Sequence, residues 1–250
     1  MQRFSVCITN YKSISTIKQA TESVLHHFRD RGFEIVISDN MSSDGSFEYL
    51  RELEREGLVD KLFRCVCSRG KGRDLSFRNS TGDHIICNID MDVVYDTVKI
   101  DEAISEYISI HDDVLFAAYG MIIISRKLAN ELGGWRDLDR HEDSDISARA
   151  LSVNRYVQNF GLNVVRAHLK KKVPPILLSS LRLTYLDCRD WYRIGMPLMT
   201  GLKRGRLPLL TLLSYILSRF MERYPNQNIP EYLEILYTDR YYRRPADNPR

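Results

Sequence analysis

The 250-residue chain reads as an α/β fold, a mostly parallel sheet flanked by helices, followed by a helical C-terminal extension. Three observations predict this. Short β-rich runs alternate with polar helical stretches over the first hundred residues, at the spacing of strands joined by crossover helices. An apolar run then ends in two acids at "CNIDMDVVYD" (87–96). Beyond Val173 the composition changes to apolar stretches broken by Pro174, Pro175, Pro197 and Pro208 and studded with Lys and Arg. The expected division is 1–172 and 173–250, and 44% hydrophobic residues are enough for a substantial core.

"FSVCIT" (4–9) reads as the first strand, 14–29 as a helix, and "FEIVIS" (33–38) as the second strand. A helix over 46–56, the strand "LFRCVC" (62–67), a helix around 72–79 and the strand "HIICNI" (84–89) follow. After a helix near 97–108 come the strands "VLFAAY" and "MIIIS". "RKLANELGGW" is a short helix stopped by Gly133 and Gly134.

The five cysteines, Cys7, Cys65, Cys67, Cys87 and Cys188, form no CxxC pair and are odd in number. They indicate neither a disulfide framework nor a zinc site, which suits a reducing compartment. "RFSVCITNY" is too short an apolar run for a signal segment, so a cytoplasmic location is expected. The net charge of +3 is unevenly spread. Between Arg166 and Arg223 there are twelve Lys or Arg against three acids, a balance of +9, which leaves −6 for the remainder.

Four stretches carry candidate chemistry. "SDNMSSDGS" (38–46) ends a strand with Asp39 and caps the next helix, as an ordinary βα loop would. "RGKGR" (69–73) reads as a loop whose Gly70 and Gly72 let backbone approach a ligand, with Arg69, Lys71 and Arg73 supplying positive charge. Asp90 and Asp92 stand at the C-terminal end of the fourth strand, where open α/β sheets bind ligands. Their hard oxygens suit Mg²⁺ or Mn²⁺ shared with a diphosphate. In "GGWRDLDRHEDSDISARAL" (133–151), Glu142, Asp143 and Asp145 cluster before a helix, where capping competes with a role in proton transfer.

The order "SVCITNYK", "EIVISDNMSSDGS", "RGKGR", "IDMDV" and "LGGWRD…HEDSDISAR" resembles the family 2 glycosyltransferases of the GT-A fold, over residues 4–170. The resemblance implies an inverting transferase that takes a sugar from a nucleotide-sugar donor. Asp39 matches the residue that hydrogen-bonds the base, Tyr11 the aromatic lying against it, and Arg73 a basic residue near the nucleotide. Asp90 and Asp92 match the DxD pair, Asp92 ligating Mg²⁺ or Mn²⁺ and Asp90 lying near ribose or metal. Asp143 matches the catalytic base, with Glu142 beside it. Gly134 and Trp135 match a turn lining the sugar and acceptor site. His168, ending "NVVRAH", resembles a further metal ligand of some relatives, the ordinary alternative being a structural histidine. The chain departs from the family's Pro-Thr-Tyr-Asn after the first strand, with Thr9-Asn10-Tyr11-Lys12.

Two rivals are a haloacid-dehalogenase-type phosphatase, whose apolar-DxDx[TV] pattern "IDMDVV" also satisfies, and a non-catalytic nucleotide-sugar-binding relative. The phosphatase motif follows a first strand, whereas three strands precede it here. "VPPILLSSLRL" and "LPLLTLLSYILSRFMERY" are too short to cross a bilayer. They read as helices packed on the catalytic domain or joining a homo-oligomer, or as a basic, apolar surface resting on the cytoplasmic face of an anionic membrane. The last reading favours a glycan or lipid-linked acceptor, in polysaccharide or glycolipid synthesis; nothing points to nucleic acid.

Overall fold

Strands of a sheet covered on both sides must be apolar at odd and even positions alike. That is what the computed structural model shows; it describes residues 2–110, 112–169, 176–198, 208–218, 221–224 and 229–237. β1 (Phe4–Asn10) sends Phe4, Val6 and Ile8 to one layer and Cys7 to the other. β2 (Glu34–Asp39) gives Ile35 and Ile37 to the first layer. β4 (His84–Cys87) splits Ile86 from Ile85 and Cys87 in the same way.

With β3 (Lys61–Arg64), β6 (Leu115–Tyr119), β7 (Met121–Ser125) and β8 (Tyr156–Asn163), these form a seven-stranded sheet in the order β3-β2-β1-β4-β7-β6-β8. Its strands are parallel except β7, which runs antiparallel to both β4 and β6. The predicted mostly parallel, helix-flanked sheet is therefore the fold of the protein.

α1 (Ile17–Asp30) buries Ile17, Ala20, Thr21, Val24, Leu25 and Phe28, a stripe at helical spacing. Together with α2 (Ser46–Arg55) and α4 (Thr97–Ser109) it covers the first face. α3 (Arg69–Asn79), α5 (Arg126–Glu131) and α6 (Glu142–Ser152) cover the second with Phe77, Leu128, Ala129, Ile146 and Ala150. β5 (Val93–Tyr95) and β9 (Val165–His168) pair antiparallel as a separate ribbon.

The structure departs from the sequence expectation in three places. α1 begins at Ile17 rather than residue 14, because Ser13 O first accepts from the backbone N–H groups of Thr16 and Ile17 at 2.8 Å. β3 stops at Arg64, and just beyond it Cys65 and Cys67 form a disulfide with Cα atoms 5.6 Å apart. Their Cα separation is within bonding range, so the cysteine count carries no argument about compartment. The third is "RGKGR", which is no loop: it is the first turn of α3.

Past β9, α7 (Ile176–Arg193) and the helices Pro208–Ser218 and Ile229–Tyr237 form the extension. Trp191, Ile194, Met196 and Leu233 pack with Leu138 and Ala148, joining it to α6 and the loop before α6. The expected boundary at residue 172 lies outside the described residues. Among the described residues, no helix is long and apolar enough to cross a membrane.

Candidate active site

The C-terminal ends of β1, β2 and β4 bring polar residues to one rim. Asn10 and Asp39 are paired terminal residues, and a bridge between Thr9 and Asp90 carries the line past β4. Asp39 is fully buried: it accepts from Asn10 Nδ2 at 2.7 Å and from the Ser42 backbone N–H at 2.8 Å. Its carboxylate thus holds the β2–α2 loop closed. Asn10 Nδ2 also reaches Ser42 and Ser46 at 3.3 and 3.2 Å, so it knits the first two loops together. Tyr11, the next residue, is 42% exposed at the same rim.

The glycines of α3 explain themselves by what surrounds them. A Cβ on Gly70 would meet Arg136 O at 2.0 Å, and one on Gly72 would meet Ser38 Oγ at 2.9 Å. Gly70 N–H donates to Leu138 O at 2.8 Å, and Ser38 Oγ donates to Gly72 O at 2.8 Å. The first turn is therefore seated on the strand ends and under the 136–138 loop. Ser68 caps it, accepting from Lys71 N at 3.1 Å. With Arg69, Lys71 and Arg73 and no acid, this turn opposes the helix dipole, which favours anions there.

Arg73 is the hub. It is 2% exposed, its Nη1 lies 3.0 Å from Glu142 Oε1 and in contact with Asp143 Oδ1, and its Nη2 lies 3.8 Å from Asp90 Oδ1. Arg69 Nη1 stands 3.6 Å from Glu142. Burial works against the charge of Arg69, but Glu142, Asp90 and Asp92 outweigh it and raise its pKa. Glu142 is buried at the start of α6, while the Asp143 side chain keeps 31% of its surface and Asp90 44%. Asp90 is steadied from below, its backbone N–H donating to Tyr95 Oη at 2.6 Å. Burial, then the charge of Asp90, pushes the Tyr95 phenol up, so it stays protonated.

Two guanidinium groups, Arg69 and Arg73, therefore face four carboxylates, Asp90, Asp92, Glu142 and Asp143, a balance of −2. This excess, with hard oxygens on the half-buried side chains of Asp90 and Asp92, fits a divalent cation. His168, which the resemblance suggests as a further ligand, stands beside the pair. β5–β9 pairing places it opposite Val93, one residue from Asp92, but it is exposed and its ring meets Tyr119 edge-on at 6.5 Å. Among the described residues, no three His, Cys, Asp or Glu side chains are placed to hold a metal ion by themselves.

Gly134 and Trp135 pack against α3. Gly134 has φ +75°, and a Cβ there would collide with Asp74 Oδ1. Trp135 is 4% exposed, its indole packed on Phe77 at 5.6 Å and its backbone N–H donating to Asp74 Oδ1 at 3.1 Å. The third acid of the cluster, Asp145, is fully buried between Arg136 (3.0 Å) and Arg149 (2.8 Å).

Sequence reasoning missed what holds the loop before α6. Asp187 of α7 accepts from Arg140 Nε at 2.8 Å and lies 3.2 Å from His141 Nε2. Asp190 accepts from the Arg140 backbone N–H at 2.7 Å, and Arg189 donates to Asp139 at 2.7 Å. His141 stacks on Trp191 at 5.2 Å. The available signal was the acids Asp187 and Asp190 inside an otherwise basic segment. Backbone strain marks the same rim: of five non-glycine residues with positive φ among the described residues, Lys12, Met41, Asn88 and His141 lie in loops bordering the site.

The glycosyl transferase family 2 pattern matches residues 5–142. No curated protein matches the chain. Among solved structures, S. aureus TarS 1–349 in complex with UDP-GlcNAc superposes with a TM-score of 0.57 at 14% identity, covering 88% of this chain and 73% of that one. Full-length TarS is covered over 44%. Mannosyltransferase PcManGT from Pyrobaculum calidifontis, in complex with GDP-Man and Mn²⁺, gives 0.57 at 14% identity, covering 95% and 74%. Glucosyl-3-phosphoglycerate synthase from Mycobacterium tuberculosis, in complex with Mn²⁺ and UDP-glucose, gives 0.57 at 14% identity, covering 78% and 80%. Identities this low speak for the fold, and the family pattern spans more than half of the chain. The protein belongs to glycosyl transferase family 2 and is a glycosyltransferase of the GT-A fold.

Proposed function

We propose that the protein moves a sugar from a nucleotide-sugar to an acceptor hydroxyl or lipid phosphate by a single inverting displacement. The observation that carries this is Arg73, buried between the DxD carboxylate Asp90 and the pair Glu142–Asp143. One guanidinium thereby ties the donor side of the rim to the acceptor side. Tyr11 offers its exposed ring to the base, and the Asp39 loop shapes the pocket beside it.

A divalent cation held by Asp90 and Asp92, with water and donor phosphates completing its shell, would neutralise the departing diphosphate. The chain's own residues do the rest. Arg73 contacts the Asp143 carboxylate, so that contact must open before Asp143 can reach an acceptor proton. A bound diphosphate competes for Arg73 and frees Asp143 to take the acceptor proton. The acceptor oxygen then attacks the anomeric carbon opposite the diphosphate, whose bond to that carbon breaks. Glu142 stays buried with Arg69 and Arg73 and keeps both guanidinium groups aimed at the rim.

A thermal-shift screen of nucleotide-sugars with and without Mn²⁺ tests this. Bound ligand raises apparent stability, by about 2.7 kcal/mol at a hundredfold excess over Kd. The reading predicts a rise with one class of donor that is larger with Mn²⁺; flat melting curves across all donors would overturn it.

A further inference from the structure

The helix Pro208–Ser218 is inverted for a surface in water. Thr211, Ser214, Tyr215 and Ser218, spaced three and four apart, face inward at 0, 2, 9 and 0% exposure. Leu212, Leu213, Ile216 and Leu217 face outward at 37, 50, 47 and 59%. Two of the inward groups are paired: Tyr215 Oη donates to Met196 O, its ring meeting Tyr192 edge-on at 5.4 Å, and Ser218 Oγ donates to Ser214 O at 2.7 Å. A helix that turns hydroxyls to the protein and aliphatic side chains outward is matched to an apolar medium. Met221, whose N–H donates to Ser218 O at 2.9 Å, adds exposed apolar surface at 38% just past the helix, and Leu183 of α7 is 44% exposed.

Charge identifies the medium. The helix lies within the Arg166–Arg223 segment, twelve Lys or Arg against three acids, and Lys203, Arg204 and Arg206 immediately precede it in the chain. Arg182 and Arg223 are exposed beside Leu183 and near Met221. A second copy docking through this face would set the same positive segment against itself across a two-fold axis. At eleven residues the helix is about 16 Å long, too short to cross a bilayer but suited to lying along one.

We propose that this face docks on an anionic bilayer, with Leu212, Leu213, Ile216 and Leu217 entering the boundary between headgroups and acyl chains. Arg182 and Arg223, exposed beside Leu183 and near Met221, then meet the anionic headgroups. This deepens the transferase reading, on which it rests for its purpose, by placing the acceptor at a membrane surface; the binding itself needs no catalysis.

The test is flotation of the full chain with phosphatidylcholine vesicles, with and without phosphatidylglycerol, beside donor hydrolysis measured in solution. The wild type should float with anionic vesicles at least about tenfold more tightly than with neutral ones, and added salt should release it. Leu213→Glu with Leu217→Glu should abolish flotation without changing the melting temperature or donor hydrolysis. Val153→Glu, at another exposed apolar position, should float like the wild type. Wild type that stays in the aqueous fraction, equal flotation of the double variant, or a dimer that the double variant converts to monomer would overturn the proposal. Loss of donor hydrolysis in the wild type would instead bear on the transferase reading.

Discussion

α6 presents two arginine–carboxylate clusters one turn apart, and they are built on opposite plans. At Asp145 everything is closed. Arg149 donates to Asp145 at 2.9 Å, to Gly134 O at 2.9 Å and to Leu132 O, while Arg136 donates to the other carboxylate oxygen at 3.0 Å. At Glu142 and Asp143 the carboxylates outnumber the cations, and Glu142 Oε1 and Asp143 Oδ1 contact Arg73 without a well-formed hydrogen bond. A saturated buried network fixes geometry. An unsaturated one beside solvent is available to bind something. The first cluster pins the Gly134 turn so that the second can be aimed.

The largest effect should come from the open cluster. Asp143→Asn should lower transfer about 10²–10⁴-fold, the range of general-base assistance, while calorimetry still finds donor binding. The closed cluster should answer in stability instead. Arg149→Met leaves Asp145 buried with one partner, and urea unfolding should show about 3–5 kcal/mol lost. If Arg149→Met instead left stability intact and removed activity, the division between the two clusters would be wrong. Smaller is Gly70→Ala, whose methyl strikes Arg136 O; it should cost about 1–3 kcal/mol and lower activity by moving the first turn of α3 and with it Arg73.

The smallest effect is one of pH. Burial raises the pKa of Asp190 to about 6 from 3.8, only partly offset by Arg189 and the Arg140 N–H. A carboxyl raised in the folded state binds its proton more tightly there. Its contribution to stability is therefore full below about 3.8 and is lost as pH rises through about 6. Urea midpoints followed over that window should fall with pH more steeply in the wild type than in Asp190→Asn. Parallel curves would show that Asp190 is not the group responsible.

Much of the fold was legible because strand and helix periods are local. "FSVCIT" and the stripe from Ile17 to Phe28 announce their elements without reference to anything distant. Asp39 and Asp90 read as strand-end residues for the same reason, whereas Asp143 was joined to them only by the resemblance to family 2 glycosyltransferases. What was illegible depends on packing between distant segments. Gly70 and Gly72 look alike whether they cradle a ligand or admit Arg136 O and Ser38, and only the folded chain shows the second. Nor does the sequence show that the Trp135 indole packs on Phe77. The clamp of Asp187, Arg189 and Asp190 on residues 139–141 joins segments about fifty positions apart, beyond any local pattern.

The central claim is that the Arg73-centred carboxylates form a centre for glycosyl transfer. The most direct measurement is release of nucleoside diphosphate from a panel of nucleotide-sugars with Mn²⁺, by wild type and Asp143→Asn at matched donor occupancy. Release from one donor class that falls at least about 10²-fold in the variant, with donor affinity unchanged, is the predicted result. Equal release by the two proteins, or none from any donor, would contradict it.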